Sequence, residues 1–175
     1  MKVALVSLNQ SWEDKEANRL KVRNCFQTIA FRNMDLVIFP EMTLTGFTMN
    51  VKEHAEEAEN SATIRFFTDC ACQYGVYIGF GMILKAGIKA ANHFIIVSPE
   101  GEMCADYIKI HPFSYAGEDR FYEKGKHLTS LEIQGVPIGL SICYDLRFPE
   151  IFQALSRTDK LILNIANWPE RRVLH

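Results

Sequence analysis

The sequence has no surplus of charge of either sign. Its 19 lysine and arginine residues nearly balance its 21 aspartate and glutamate residues, and the formal net charge at pH 7 is −2. Proteins that bind nucleic acids or anionic membrane surfaces usually carry a clear basic surplus. We therefore expect neither nucleic acid nor a membrane among the partners of this chain.

Long hydrophobic runs are also missing from the 175 residues. The first ten, MKVALVSLNQ, hold a short apolar run that polar residues interrupt, unlike a secretory signal peptide. No run approaches the roughly 18 apolar residues of a membrane-spanning helix. These two absences predict a cytoplasmic location.

The cysteines form no recognisable disulfide or metal-binding pattern. Their number, five, is odd, and one residue separates Cys70 from Cys72 instead of the two of a zinc-binding pair. Without a secretory signal, free thiols in a reducing compartment are expected. Small buried residues of the core are predicted at Cys25, Cys70, Cys72 and Cys104.

The composition is that of a folded globular protein, with 48% hydrophobic and 23% charged residues. The length fits a single domain over residues 1–175. Apolar periodicity predicts the order βαβα, several strands, then βαβ, which is typical of an α/β protein whose helices cover a sheet. Strands are predicted over residues 3–8, 35–39, 76–84, 92–98, 103–109, 128–133, 136–144 and 161–165, and helices after Ser11, over 61–74 and 149–155, and from Asn167.

Several element ends carry local signals. Gly75 is a helix stop, Gln134-Gly135 predicts a tight hairpin, and Pro149 opens a helix. Ser11 is the predicted N-cap of the first helix. That helix is predicted to bury one face, formed by Val22, Cys25, Phe26, Ile29 and Ala30.

Three polar residues, Glu41, Lys109 and Cys143, stand at or just after the ends of predicted strands. Ligands of α/β proteins bind beyond the carboxyl ends of strands, so these side chains are expected to meet in one pocket. A carboxylate can take the proton of a thiol that attacks a carbonyl carbon and can later activate water. An ammonium and the backbone N–H of Tyr144 can stabilise the resulting oxyanion. Spacing alone leaves structural alternatives open, namely a surface glutamate, a solvated edge lysine and a core cysteine.

The segments around these residues resemble the three signatures of the nitrilase, or carbon–nitrogen hydrolase, superfamily. They are IFPEM at 38–42, YIKIH at 107–111 and CYDLRFPE at 143–150, in the family's order. The resemblance covers the whole chain. It implies an α/β fold of the αββα sandwich type, a catalytic triad of Glu41, Lys109 and Cys143, and no metal or organic cofactor.

Many members of that family carry a second glutamate seven residues before a glycine in the loop after the lysine. Glu118 stands seven residues before Gly125 and matches this pattern. The resemblance implies that Glu118 positions Lys109 or the substrate. Glu123 is the second candidate, and an exposed loop charge is the structural alternative for Glu118.

Two further segments, at 45–47 and 167–169, resemble the omega-amidase-like branch of the family. This implies hydrolysis of the terminal amide of a short 2-oxo acid, such as 2-oxoglutaramate, with release of ammonia. A bidentate arginine is the natural partner of such a substrate's carboxylate. The candidates are Arg120, Arg147, Arg171 and Arg172, although for Arg147 internal pairing with Asp145 or Glu150 is favoured. Tyr144, Phe47, Tyr115 and Trp168 are predicted to line the substrate pocket, with core or rim packing as the alternative for the aromatic rings.

The chain is shorter than the catalytic domains of this family usually are. The resemblance therefore implies a C-terminally incomplete domain in which part of the second sheet is missing. A homodimer or a larger homo-oligomer is the expected assembly, and a loosened pocket is an expected consequence of a shortened scaffold.

Other functions remain open at this level. One is a different hydrolase of the family, acting on a nitrile, an N-carbamoyl compound or another amide. Another is an inactive truncated remnant or binding module, and a third is a papain-type pair of Cys143 with His111. A dinucleotide fingerprint is excluded because Gly79-x-Gly81 lacks its third glycine, and no phosphate-loop motif occurs.

Overall fold

The computed structural model describes residues 1–28 and 33–168. Its first sheet has the order β1-β2-β3-β4-β5, and a short β6 also pairs with β4. The first three strands are parallel, whereas β3, β4 and β5 are antiparallel. The strands are β1 Val3–Leu5, β2 Leu36–Ile38, β3 Tyr77–Ala86, β4 Lys89–Val97, β5 Met103–Ile108 and β6 Tyr122–Glu123.

A second, three-stranded sheet comprises β7 Ser130–Ile133, β8 Val136–Ile142 and β9 Leu161–Ile165. The predicted hairpin between β7 and β8 is confirmed, because Gln134 and Gly135 both have positive φ angles, of 51° and 75°. Two consecutive positive φ angles are typical of the tight turn that matches strand twist. β8 and β9 are parallel and are joined through a helix.

The helices are α1 Lys15–Thr28, α2 Val51–His54, α3 Ala62–Tyr74, α4 Glu118–Phe121 and α5 Pro149–Leu155. The ends predicted for α3 are confirmed, since the Ser61 hydroxyl accepts a hydrogen bond from Ile64 N at 3.0 Å and Gly75 adopts a left-handed conformation. Within the described residues, no helix is long and apolar enough to cross a bilayer.

The prediction for the start of α1 is wrong by several residues. The helix begins at Lys15, and the carboxylate of Asp14 accepts a hydrogen bond from Ala17 N at 2.9 Å. Glu13 has a φ of 57°, which is outside the helical region, so Ser11 lies too early to be the cap. Ile29 and Ala30 of the predicted apolar face lie outside the described residues.

The layers follow the order helix, sheet, sheet, helix. Helices α1 and α3 pack on the outer face of the first sheet, where Val22 and Phe67 join one apolar cluster. The inner faces of the two sheets meet in a second cluster that includes Phe94 and Leu140. On the outer face of the second sheet, a Cβ at Gly139 would come within 3.0 Å of Leu155 of α5. The expectation of an αββα sandwich is confirmed.

The prediction that four cysteines belong to the core holds only in part. Cys70 is buried and Cys25 is half-buried, whereas Cys72 and Cys104 are exposed. Cys104 belongs to β5, which pairs with β4 at the end of the order β1-β2-β3-β4-β5. Helical and strand periodicity leaves one face of such elements in contact with solvent, and these two side chains occupy it.

Removing the Phe67 ring should destabilise the fold strongly. The ring is fully buried, stacks on Phe80 with 4.1 Å between centroids, and lies 5.5 Å from Phe39. Phe67→Ala is expected to lower the free energy of unfolding by about 3–5 kcal/mol, measured by chemical denaturation. Ile88→Ala, at a fully exposed hairpin position, is the control and should leave it within about 0.5 kcal/mol. Equal midpoints for both variants would contradict this packing.

Candidate active site

The three polar residues predicted at strand ends do converge. Lys109 directly follows β5, Cys143 directly follows β8, and Glu41 lies three residues beyond the last residue of β2. Glu41 and Lys109 are buried, and Cys143 is half-buried. The site therefore draws on both sheets, at the carboxyl ends of their strands.

Lys109 lies between two buried carboxylates. Its Nζ is 3.0 Å from Glu41 Oε1 and 2.9 Å from Glu118 Oε2. Burial by itself would lower the pKa of the Lys109 ammonium, but the two carboxylates outweigh burial and raise that pKa above its ordinary value. Burial also raises the pKa of Glu118, and the charge of Lys109 opposes that rise. The lysine is therefore a permanent cation at neutral pH.

The loop after β5 delivers Glu118 rather than Glu123 to this cluster. Glu118 is fully buried and accepts a hydrogen bond from Phe113 N at 2.5 Å, whereas the Glu123 side chain is 54% exposed beside Lys89. Gly125 lets the loop return, because a Cβ there would lie 2.1 Å from the carbonyl oxygen of Ile108. The structure thus gives a steric reason for the glycine seven residues after Glu118.

Gly81 allows an equally close approach next to Glu41. A Cβ at Gly81 would lie 2.4 Å from Met42 N and 2.6 Å from Glu41 Cα. Thr43 N in turn donates to the carbonyl oxygen of Gly81 at 2.8 Å. The glycine that did not fit a dinucleotide fingerprint thus allows the segment after β2 to lie directly against β3.

The sequence reasoning missed Asn92 of β4. Its Nδ2 donates to Glu41 Oε1 at 2.8 Å and to Glu118 Oε1 at 3.1 Å. The signal for it was present, because Asn92 shares a strand face with Phe94 and Ile96, which face the second sheet. A fully buried amide on an otherwise apolar face needs polar partners.

The sulfur of Cys143 sits in a buried setting. Burial first, and then the Glu41 carboxylate, raise the pKa of the thiol to about 12, while Lys109 and a hydrogen bond from Trp168 act in the opposite direction. The Trp168 indole N–H lies 3.0 Å from the sulfur. At neutral pH the group is therefore a thiol, and any nucleophilic role needs a base beside it.

Asp145 fixes the short 3₁₀ turn Cys143–Arg147, and the sequence reasoning assigned it no such role. Its buried carboxylate accepts hydrogen bonds from the Tyr107 hydroxyl at 2.7 Å, Ile142 N at 3.0 Å and His111 N at 2.9 Å. Cys143 itself has a φ of 47°, a conformation that non-glycine residues adopt when their surroundings hold them there. The carboxylate thus anchors a strained turn.

This arrangement corrects the pairing expected for Arg147 and bears on the papain-type alternative. Across residues 1–28 and 33–168, no ion pair joins Arg147 to Asp145 or Glu150, since Tyr107, Ile142 and His111 occupy the Asp145 carboxylate. His111 pairs with Asp145 at 3.0 Å and its ring stacks on Phe148. In the same described part of the chain no hydrogen bond links His111 to Cys143, so the geometry gives no support to a papain-type pair.

A cavity of about 250 Å³ opens beside the sulfur. Four of the substrate-binding candidates, Phe47, Tyr144, Arg147 and Trp168, line this cavity. Tyr115 does not, because it is the middle residue of the turn Ser114–Ala116 and its side chain is 89% exposed. Phe113 and Asn167 also line the cavity, and the sequence did not predict this.

Asn167 was predicted to cap a helix, and the residues from Pro169 onward that would form this helix lie outside the described part. In the structure the backbone N–H of Asn167 donates to Glu41 Oε2 at 2.9 Å, and its side chain donates to Gln10. In the described ranges, no group of three or more histidine, cysteine or acidic side chains is arranged to hold a metal ion.

Comparison with curated proteins gives relatives that match all or most of this chain. The sequence is 33% identical over 175 residues to the omega-amidase YafV of Yersinia enterocolitica and 31% identical to that of Escherichia coli K12. It is 29% identical over 164 residues to the 2-oxoglutaramate amidase of Bacillus subtilis. The chain spans 66% of the length of both omega-amidases and 63% of the Bacillus protein.

Solved structures share the fold. XC1258 from Xanthomonas campestris, a CN-hydrolase superfamily protein with an arsenic adduct in its active site, superposes with a TM-score of 0.87 at 28% identity, covering 98% of this chain and 66% of that one. An amidase from Nesterenkonia, at 19% identity, superposes with a TM-score of 0.84 over 95% of this chain and 64% of that one. The model of the carbon-nitrogen hydrolase family matches residues 2–173, and this chain belongs to that family.

Proposed function

We propose that this chain carries the centre of a cysteine-dependent amidase that works through a thioester acyl-enzyme. The observation that carries the proposal is the convergence of Glu41, Lys109 and Cys143 beside one cavity, from the ends of three strands in two sheets. A buried thiol of high pKa beside a carboxylate is chemically inert until that carboxylate takes its proton. We assign that role to Glu41.

The reaction then proceeds in two halves. Glu41 takes the thiol proton while the Cys143 sulfur bonds to the amide carbon, and the carbonyl π electrons move to oxygen. The tetrahedral intermediate collapses with cleavage of the C–N bond, and protonated Glu41 returns the proton to the departing nitrogen, which leaves as ammonia. Water then attacks the thioester with Glu41 again as the base, releasing a carboxylic acid and the thiol.

Two donors are assigned to the oxyanion, the Lys109 ammonium and the backbone N–H of Tyr144. Lys109 is suited to this because its pKa is raised and it is held by Glu41 and Glu118. A preorganised donor of this kind typically lowers the barrier by about 3–4 kcal/mol. In this scheme Glu118 positions Lys109.

The favoured substrate is the terminal amide of a short 2-oxo acid such as 2-oxoglutaramate. The names of the omega-amidase and 2-oxoglutaramate amidase relatives support this choice. Arg147 supports it as well, because it lines the cavity and no ion pair occupies it within the described residues. Of the other arginine candidates, Arg120 is exposed, whereas Arg171 and Arg172 lie outside the described part.

We further propose a cytoplasmic protein that forms homodimers or larger homo-oligomers. The free thiols of all five cysteines support a reducing compartment. The assembly is what the resemblance to the nitrilase superfamily implies, and light scattering of the purified protein tests it.

Loss of the nucleophile should abolish turnover. Cys143→Ala is expected to reduce ammonia release from 2-oxoglutaramate to background, and Glu41→Gln to lower it by a factor of about 10²–10⁴, because the thiol then keeps its proton. An enzyme-coupled ammonia assay measures both. Cys104→Ala, at an exposed cysteine, is the control and should keep wild-type turnover. Full activity in Cys143→Ala would refute the proposal.

The substrate class is tested separately at Arg147. Arg147→Leu is expected to raise KM for 2-oxoglutaramate about 10- to 100-fold, the effect of losing a charged hydrogen bond, and to leave KM for an uncharged amide unchanged. Arg120→Leu is the matched exposed control. A wild type that prefers nitriles or N-carbamoyl amino acids would place the chain with other hydrolases of the family. Absence of turnover on 2-oxoglutaramate, nitriles and N-carbamoyl amino acids alike would favour an inactive truncated remnant or a binding module.

The indole N–H of Trp168 should make the Cys143 thiol more reactive. Since this donor lowers the pKa of the thiol, Trp168→Phe is expected to raise that pKa and to slow alkylation of Cys143 by iodoacetamide about three- to tenfold at pH 7. Peptide mass spectrometry follows the modification. Trp12→Phe removes a comparable exposed indole that donates to the carbonyl oxygen of Phe47, and should have no effect. An unchanged rate in Trp168→Phe would contradict the contact.

A further inference from the structure

Asn92 occupies an unusual place between the two buried glutamates. Its Nδ2 donates to the Oε1 atoms of Glu41 and Glu118, at 2.8 and 3.1 Å. Lys109 Nζ donates to the same two oxygens, at 3.0 and 3.1 Å. Two carboxylate oxygens are thus bridged twice, once by a cation and once by a neutral amide.

We propose, on the basis of the function assigned above, that Asn92 is a positioning residue that keeps Glu41 ionised and presents its second oxygen as the base for Cys143. Asn92 and Lys109 together occupy Oε1 of Glu41. The other oxygen, Oε2, accepts the backbone N–H of Asn167 at 2.9 Å. Because both side-chain donors lie on one oxygen, rotation of the carboxylate is restricted and Oε2 remains the oxygen for proton transfer.

The balance of charge explains why a neutral donor suits this position. Glu41 and Glu118 share a single lysine, so the buried cluster carries one negative charge in excess. Like charges held this close oppose each other's ionisation, and a proton on Glu41 would remove the base. A second cation would prevent protonation but would also weaken the base. The two N–H groups of Asn92 stabilise both carboxylates without adding charge.

The side-chain amide of Asn92 is oriented so that its nitrogen donates to both carboxylates while its oxygen has no donor in the described residues. Asn92 is 1% exposed, and in the described residues its Oδ1 accepts no hydrogen bond. An unsatisfied buried acceptor is destabilising. A leucine would fill this face beside Phe94 and Ile96 without an unpaired acceptor. The asparagine therefore has a role that packing does not supply.

The groups that face Glu41 define what a pH measurement would report. They are the Lys109 ammonium, the Glu118 carboxylate, the Cys143 thiol and the buried Tyr122 phenol, whose pKa is raised by burial and by both glutamates. Below pH 8, Lys109 stays charged while Cys143 and Tyr122 stay neutral. These three groups therefore contribute no step to a pH profile between pH 4 and 8.

Alkylation of Cys143 by iodoacetamide tests the proposal without an amide substrate. In this reaction the thiol proton passes to Glu41, the sulfur bonds to the methylene carbon, and iodide leaves. We would measure the rate between pH 4 and 8 by mass spectrometry of the Cys143 peptide. The fall of this rate toward low pH is the acid limb of the profile. Glu41→Gln should abolish the acid limb, which would assign the limb to Glu41.

Two variants then report on Asn92. Asn92→Leu is expected to move the acid limb upward by about one pH unit, which corresponds to a tenfold loss of rate at pH values below the limb. The isosteric Asn92→Asp adds a third carboxylate and is expected to move the limb further upward. Asn164→Asp is the matched control, since Asn164 donates to the Ser141 hydroxyl in the second sheet and should leave the limb in place.

An unchanged acid limb in folded Asn92→Leu protein would overturn the proposal, as would an acid limb that survives Glu41→Gln. If Asn92→Asp does not fold, Asn92→Leu alone decides, because its side chain suits the apolar face. Wild-type protein that releases no ammonia refutes the proposed amidase function only, while the alkylation profiles still report on Asn92.

Discussion

The buried ammonium of Lys109 is the charge around which the rest of the site is organised. Alone in the interior it would lose its proton, and Glu41 and Glu118 keep it charged. Removing Lys109 would leave two buried carboxylates uncompensated, and breaking a buried ion pair in this way typically destabilises a protein by about 3–5 kcal/mol. Lys109 therefore ties Glu41, which lies 68 positions earlier in the chain, to the loop that carries Glu118.

The backbone around Lys109 and its two carboxylates is shaped to allow these contacts. Glycines at 81 and 125 remove side chains where two segments must touch, one beside Glu41 and one beside the end of β5. On the other side of the site, Asp145 ties the turn that carries Cys143 to Tyr107 and His111. The inner faces of the two sheets pack on each other, so the positions of these loops are fixed relative to one another.

The electrostatics distinguish this cysteine from the low-pKa thiolates of many reactive cysteines. Burial raises the pKa of the Cys143 thiol, the negative charge of Glu41 raises it further, and the thiol therefore holds its proton. In the proposed function, reactivity depends on a carboxylate base close by rather than on a resting thiolate. The proposed role of Asn92 meets this requirement with a neutral amide beside a single lysine.

Local patterns were enough to predict most elements. The bounds of α5 and β9, both ends of α3 and the hairpin at Gln134-Gly135 follow from proline, capping and turn residues that act over a few positions. The start of α1 was missed because Asp14 and Ser11 are both competent caps, and the positive φ of Glu13 decides between them. Which turn residue faces outward, as Tyr115 does, is likewise set by the loop's packing.

The sequence by itself determined the fold class and the strand-end positions of Glu41, Lys109 and Cys143, because periodicity and motif order are local properties. Only the tertiary structure revealed that Asn92, Asp145 and Asn167 complete the site. Their partners lie far away in the chain, as with Asn167 and Glu41, 126 positions apart. A hydrogen bond between such residues depends on sheet register and loop path, which no short pattern encodes.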